Sequence, residues 1–222
     1  MTRIKICGLT RPCDIDYVNT ARPDWCGFVI NFPKSRRSLT PEQVRPLRER
    51  LDPSITAVGV FVDRPPGEIA ALLLDGTIDI AQLHGNEDAA YFAALRSLAP
   101  GKELWRAFRV RSPDDFDGIH DFPADRILLD SGQGSGLTFD WSLAALAGRP
   151  FLLAGGLTPE NLPEAIRTAR PWGVDLSSGV ETGGFKDFQK ICAAVRAARK
   201  DRKNQCPKDD SASTADSICP KR

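Results

Sequence analysis

The chain holds 222 residues, 41% of them hydrophobic, with 30 basic against 29 acidic side chains and a formal charge of +1. That length suits one large domain or two small ones, and the near-neutral balance gives no electrostatic footprint for nucleic acid or another polyanion. The apolar runs are too short to span a bilayer, and the residues after Met1 are polar and charged rather than apolar, so a cytoplasmic protein without a membrane anchor is expected.

The chain opens with Arg3-Ile4-Lys5-Ile6-Cys7-Gly8, where basic and apolar residues alternate at the period of a strand with two different faces. Ile4 and Ile6 share the face that helices must cover. Lys5 and Cys7 share the other, which points into a closed barrel. Cys7 then sits at the carboxyl end of the strand, where parallel α/β sheets keep their chemistry. Further strands are predicted near residues 25–30, 57–62, 78–83, 104–108, 127–129, 151–153 and 174–176. Helical patterns fall between them near residues 13–21, 41–50, 67–74, 87–98, 112–117, 141–147, 160–169 and 187–199. Thr40-Pro41-Glu42-Gln43 and Thr158-Pro159-Glu160-Asn161 read as helix openings, with Thr before a first-turn proline. Asn86 and Asp140 are the expected N-caps of the fourth and sixth helices.

Strict alternation of strands and helices fits a closed (β/α)8 barrel or an open doubly wound sheet. The open sheet carries its glycine-rich phosphate loop after the first strand. Here only Gly8 follows that strand, and the glycines gather after the sixth, seventh and eighth. Late glycine loops match the phosphate site of barrels. The predicted fold is therefore α/β, a single (β/α)8 TIM barrel over residues 1–199. Residues 200–222 have few apolar groups and many charges and read as a disordered polar tail.

Six cysteines stand at positions 7, 13, 26, 192, 206 and 219, none in a C-x-x-C pair, and His84 and His120 are the only imidazoles. Zinc-site spacing is absent, so no metal is expected. A disulfide framework is not expected in a cytosolic chain either, and Cys206 and Cys219 read as incidental thiols. A free cysteine is more often a small buried hydrophobe than a reactive group; Cys7 is set apart by its strand end.

Four constellations could carry chemistry. Ile127-Leu128-Leu129 is an apolar strand ending in Asp130, at the catalytic rim of a barrel, where an Asp otherwise serves as a loop cap. Three glycine-bearing loops, Gly132–Gly136, Ala154–Leu157 and Ser177–Glu181, follow consecutive strands. Glycines let backbone N–H groups approach an anion closely, and a helix N-terminus adds positive potential, so a phosphate pocket is expected there. The basic loop Pro33–Ser38 offers Arg36 and Arg37, whose guanidinium groups can hold a carboxylate by two parallel hydrogen bonds. Lys5, Gln82, His84, Arg106 and Asp175 are polar residues within strands and need partners. The first and eighth strands adjoin in a closed barrel, so Lys5 and Asp175 are expected to face each other, and Lys5 to favour the Cys7 thiolate. His84 reads as a hydrogen-bonded structural histidine.

These residues identify a family. Lys5-Ile6-Cys7-Gly8-Leu9, Gln82-Leu83-His84-Gly85, Leu129-Asp130, Thr138-Phe139-Asp140-Trp141, Gly155–Asn161 and Gly173–Glu181 occur in order on successive strands. From Arg3 to about Arg199 the chain resembles the phosphoribosylanthranilate isomerases of tryptophan biosynthesis. The resemblance implies a (β/α)8 barrel that isomerises N-(5-phosphoribosyl)anthranilate, a small phosphorylated substrate, by an Amadori rearrangement without metal or organic cofactor. It implies Cys7 as base and Asp130 as acid, Arg37 on the anthranilate carboxylate, and Asp175 near the sugar hydroxyls. Gly134, Gly136, Gly155, Gly156, Ser178 and Gly179 match the phosphate cradle. It implies no nucleic-acid or membrane partner, and a monomer more often than a dimer. Gln133, Leu137 and Arg36 depart from the family pattern. A phosphate-binding regulatory barrel would need neither Cys7 nor Asp130. A broader isomerase with paired aspartates would not place a cysteine at the first strand end.

Overall fold

A computed structural model of the protein describes residues 1–130 and 140–199. Eight strands form its centre: β1 (Arg3–Cys7), β2 (Trp25–Ile30), β3 (Thr56–Phe61), β4 (Ile80–Leu83), β5 (Glu103–Arg109), β6 (Arg126–Asp130), β7 (Phe151–Ala154) and β8 (Gly173–Leu176). Each pairs in parallel with the next, and β1 pairs with both β2 and β8, which closes the cylinder. The predicted (β/α)8 barrel is the observed fold. The expected tail, residues 200–222, lies outside the described residues.

Among the described residues six α-helices cover the barrel: α1 (Pro12–Ala21), α2 (Pro41–Arg50), α3 (Pro66–Leu74), α4 (Ala89–Leu98), α5 (Leu162–Ala169) and α6 (Phe188–Ala198). The stretches expected as the fifth and sixth helices are instead 3-10 turns, Pro113–Phe116 and Trp141–Ala147. In the first, Asp115 takes the backbone N–H groups of Arg111 and Ser112 at 2.7 and 2.8 Å, and Gly118 at φ +74° turns the chain away. In the second, the buried Ala144 and Ala147 are three apart, matching three residues per turn, and Gly148 at φ +64° ends it. Asp140 caps this turn as expected, accepting from Ser142 N at 2.9 Å. The cap of α4 is Asp88, which accepts from Tyr91 N at 2.8 Å, and not Asn86. Asn86 stays in the loop, where Asp63 accepts its backbone N–H.

The alternation read at the start of the chain sorts the core into two parts. Ile4 and Ile6 are fully buried in the layer between sheet and helices. The barrel interior is a separate cluster, including Trp25, Val58, Ile80, Trp105, Leu128 and Leu152. Trp25 meets Trp105 edge to face with centroids 5.2 Å apart, and lies 5.3 Å from Trp172, so an aromatic plug fills the amino-terminal end. The Arg3 guanidinium closes it, 4.7 Å from the Trp172 ring. With the interior of that end filled by aromatic rings, the room left inside the barrel lies toward the carboxyl end.

Cys7 and Cys26 are free thiols. Among the described residues no helix is long and apolar enough to cross a membrane.

Candidate active site

Above the aromatic plug lies a polar floor. The register pairs Lys5 with Asp175 on β8, and both side chains point inward. Lys5 Nζ, wholly buried, donates to Asp175 Oδ2 and Gln82 Oε1, each at 2.7 Å. The expected Lys5–Asp175 pair is present, with Gln82 as its third member. Burial works against the lysine's charge, yet Asp175 and Cys7 opposite it hold its pKa above the ordinary lysine value. Asp175 keeps a second oxygen, Oδ1, buried and without a hydrogen-bond partner among the described residues, at the edge of the cavity above.

That cavity, about 590 Å³, opens at the carboxyl ends of the strands. Cys7 from β1 and Asp130 from β6 both border it, as do Arg37, Gly155, Gly156, Asp175 and Ser178. Gly179 is adjacent; a Cβ there would collide with the Leu157 carbonyl, so its missing side chain lets the loops after β7 and β8 touch. Gly134 and Gly136 lie outside the described residues. In the loop after β7, Gly155 and Gly156 take φ of +87° and +62°, and the Asn161 amide donates to Gly156 O at 2.9 Å, fixing the entry to α5.

Cys7 is buried against β2, where Gly27 is its register partner. A Cβ at position 27 would lie 2.7 Å from Cys7 Sγ and 3.0 Å from Lys5 Cε, so only glycine leaves both side chains their places. Gly27→Ala is expected to cost about 1–3 kcal/mol by overpacking, read by denaturant unfolding. An unchanged midpoint would mean β1 and β2 have room to spare. Burial pushes the Cys7 thiol above its ordinary pKa, against the pull of the Lys5 and Lys186 ammonium groups, with Asp175 adding to the rise. The expected help from Lys5 is thus real in sign but smaller than desolvation.

Asp130 stands at the end of β6 with His84 Nε2 at 3.3 Å from its Oδ2. The loop carrying His84 is fastened by Glu87, a residue sequence reasoning missed. Its buried carboxylate accepts Gly85 N at 2.9 Å, Asp63 N at 2.8 Å and Arg106 Nη1 at 3.2 Å. Arg106 is paired in register with Leu83 and Ile127, which belong to the outer core, so it serves this loop from the helical side and not the barrel interior.

The basic loop after β2 returns to the sheet at Ser38–Leu39, beside Val29 and Ile30. Arg37 Nε and Nη2 reach Glu181 at 2.7 and 2.8 Å, and Lys186 Nζ reaches the same carboxylate at 2.8 Å. Burial would raise the Glu181 pKa, but the hydrogen bonds from Arg37 and Lys186 outweigh it and hold the carboxyl below the usual range. Lys186 is itself buried, which lowers its pKa despite Glu181. Neither Glu181 nor Lys186 was given a role from sequence: Arg37 lies 144 positions from the Glu181 it meets, and Lys186 bonds locally, to Ser177 O and Glu181, in a pattern with no sequence signature. Among the described residues no three His, Cys, Asp or Glu side chains gather to hold a metal ion.

A thiol, a carboxyl, a cation and glycine loops gather at one mouth of a parallel barrel, which defines the class: a (β/α)8 protein with a polar site at the carboxyl ends of its strands. The chain matches the family model described as N-(5'phosphoribosyl)anthranilate (PRA) isomerase over residues 4–197, and it belongs to that family. It is 44% identical over 214 residues to the N-(5'-phosphoribosyl)anthranilate isomerase of Acetivibrio thermocellus, covering 90% of this chain and 97% of that one. The crystal structure of the Thermotoga maritima phosphoribosyl anthranilate isomerase superposes with a TM-score of 0.80 at 35% identity, over 90% of this chain and all of that one. Another solved phosphoribosyl anthranilate isomerase, 34% identical with a TM-score of 0.78 and the same coverage of this chain, is in complex with reduced 1-(o-carboxyphenylamino)-1-deoxyribulose 5-phosphate.

Proposed function

We propose that the protein converts N-(5-phosphoribosyl)anthranilate into 1-(2-carboxyphenylamino)-1-deoxyribulose 5-phosphate in L-tryptophan biosynthesis, with Cys7 as general base and Asp130 as general acid. The observation that carries this reading is that a first-strand thiol and a sixth-strand carboxyl border one cavity above a sealed floor. The glycine loops after β7 and β8 supply backbone donors for the phosphate. Arg37 supplies a cation for the anthranilate carboxylate. Of the two loop arginines, Arg37 fits that role better: its side chain lies over Gly8 and is 16% exposed, whereas Arg36 is 56% exposed. Asp175 Oδ1, an acceptor without a partner among the described residues, suits a sugar hydroxyl.

The chemistry follows from these placements. Asp130 gives its proton to the ring oxygen, the C1–O bond breaks, and the nitrogen lone pair forms the C1=N iminium. The cationic nitrogen acidifies the C2 hydrogen, which the Cys7 thiolate removes, and the electron pair forms the C1=C2 enolamine. Protonation at C1 and loss of the enol proton leave the ketone. C1 is reduced and C2 oxidised by the same amount, so the exchange balances without an external electron carrier. Water is kept from the floor by the buried Lys5–Gln82–Asp175 layer.

The test is the loss of phosphoribosylanthranilate fluorescence with purified protein and freshly generated substrate. Turnover is the expected result; none, under conditions where a family member turns over, would end this assignment.

A further inference from the structure

Glu181 sits where two rim loops meet above β1. It begins a two-residue antiparallel ladder, Glu181–Thr182 against Phe185–Lys186, just after β8. Its carboxylate, 5% exposed, gathers Arg36, Arg37 and Lys186, three cations against one anion, a surplus of two charges. Arg36 and Arg37 border the main cavity, whereas Glu181 borders a smaller one of about 190 Å³ on their other side. Glu181 therefore acts from behind the arginines.

The geometry at Arg37 is specific. Glu181 takes the guanidinium by its Nε–Nη2 edge, using two of its five N–H donors. The Nη1–Nη2 end is left with the parallel donors that match a second carboxylate. From below, Gly8 at φ +80° brings bare backbone under the arginine, and a Cβ there would collide with Arg37 Cδ. Glu181 is itself anchored, since Lys190 Nζ donates to its backbone carbonyl at 2.8 Å.

We propose that Glu181 is a positioning residue that locks Arg37 by one edge so that the other edge meets the aromatic carboxylate of the substrate. This rests on the isomerase reading above. An arginine held in place before binding gives up no rotamer freedom on complex formation. One released from Glu181 must be ordered by the substrate, while the thiol and carboxyl that move protons stay where they are.

The experiment is a double-mutant cycle in KM and kcat with phosphoribosylanthranilate. Glu181→Gln is expected to raise KM about 10- to 100-fold, the effect of losing a charged hydrogen bond, and to leave kcat within about threefold. In an Arg37→Met background the same change should move KM less than about twofold, because its route to the substrate is gone. Competitive inhibition by inorganic phosphate, which probes the opposite end of the cavity, should be unchanged in Glu181→Gln. Effects that multiply independently of Arg37, or a fall in kcat with KM intact, would overturn the proposal. Should Glu181→Gln alone unfold, the cycle is run on an Arg36→Gln protein, which keeps the charge surplus at two once Glu181 is replaced. A wild-type protein with no turnover would instead sink the isomerase reading, and this one with it.

Discussion

Cys7→Ser and Asp130→Asn are each expected to lower kcat about 10²–10⁴-fold, the usual contribution of a placed general acid or base, with KM changed only a few-fold. A serine hydroxyl keeps the shape but is far less acidic than a thiol, so it supplies almost no anion to take the C2 proton. Burial already sets the Cys7 pKa above its ordinary value, which makes the thiolate scarce but strongly basic, and a still weaker acid at this place ends the proton transfer. Asp130→Asn keeps the carbonyl oxygen facing His84 but has no acid proton for the ring oxygen. Neither side chain belongs to the phosphate loops or the carboxylate clamp, so substrate affinity should survive. The fluorescence assay reads both numbers, and near-wild-type kcat in either variant would remove that residue from its role.

Lys5→Met is expected to destabilise the fold by about 3–5 kcal/mol, because it strands the buried Asp175 carboxylate. That is a large share of the 5–15 kcal/mol typical of a domain. Lys5 has a raised folded pKa. Its contribution is therefore complete below the unfolded lysine value, about 10.4, and fades only as pH climbs through the higher folded value. The loss on substitution should be level between about pH 7 and 9. At acid pH it should shrink, as the stranded carboxylate takes up a proton. Adding Asp175→Leu removes the stranded charge and should restore much of the stability. Denaturant unfolding at several pH values measures all of this; a loss under 1 kcal/mol would mean that water reaches the floor. The same variant tests the tuning of Cys7. The Lys5 ammonium favours the thiolate, so its removal should move the alkaline limb of the pH–rate profile further up, and an unchanged profile would dismiss that role.

Much of the site was legible before any coordinates. Alternation in Arg3–Cys7 separated the helix-facing isoleucines from Lys5 and Cys7, because side chains on a strand alternate whatever the surroundings. The late glycines and the strand-end Asp130 marked the carboxyl end of a barrel. The Lys5–Asp175 contact followed from closure, since the first and last strands of a barrel are neighbours. Local signals misled where a short segment had no continuing period. The Pro113 and Trp141 stretches stop after a turn or two as 3-10, and Asp88 displaces Asn86 as cap because Asp63 engages Asn86.

By itself, then, the amino-acid order determined the strand faces and the barrel, which depend on periodicity and on adjacency along the sheet, while Cys7 and Asp130 as base and acid are what the family resemblance implies. Only the tertiary structure decided how those groups are held. Glu181 reaches Arg37 across 144 positions of chain, and Gly27 is needed because Cys7 and Lys5 fill the space its side chain would take. Such contacts are set by how loops cross over a closed barrel, and residue spacing along one strand carries no record of what another loop lays beside it.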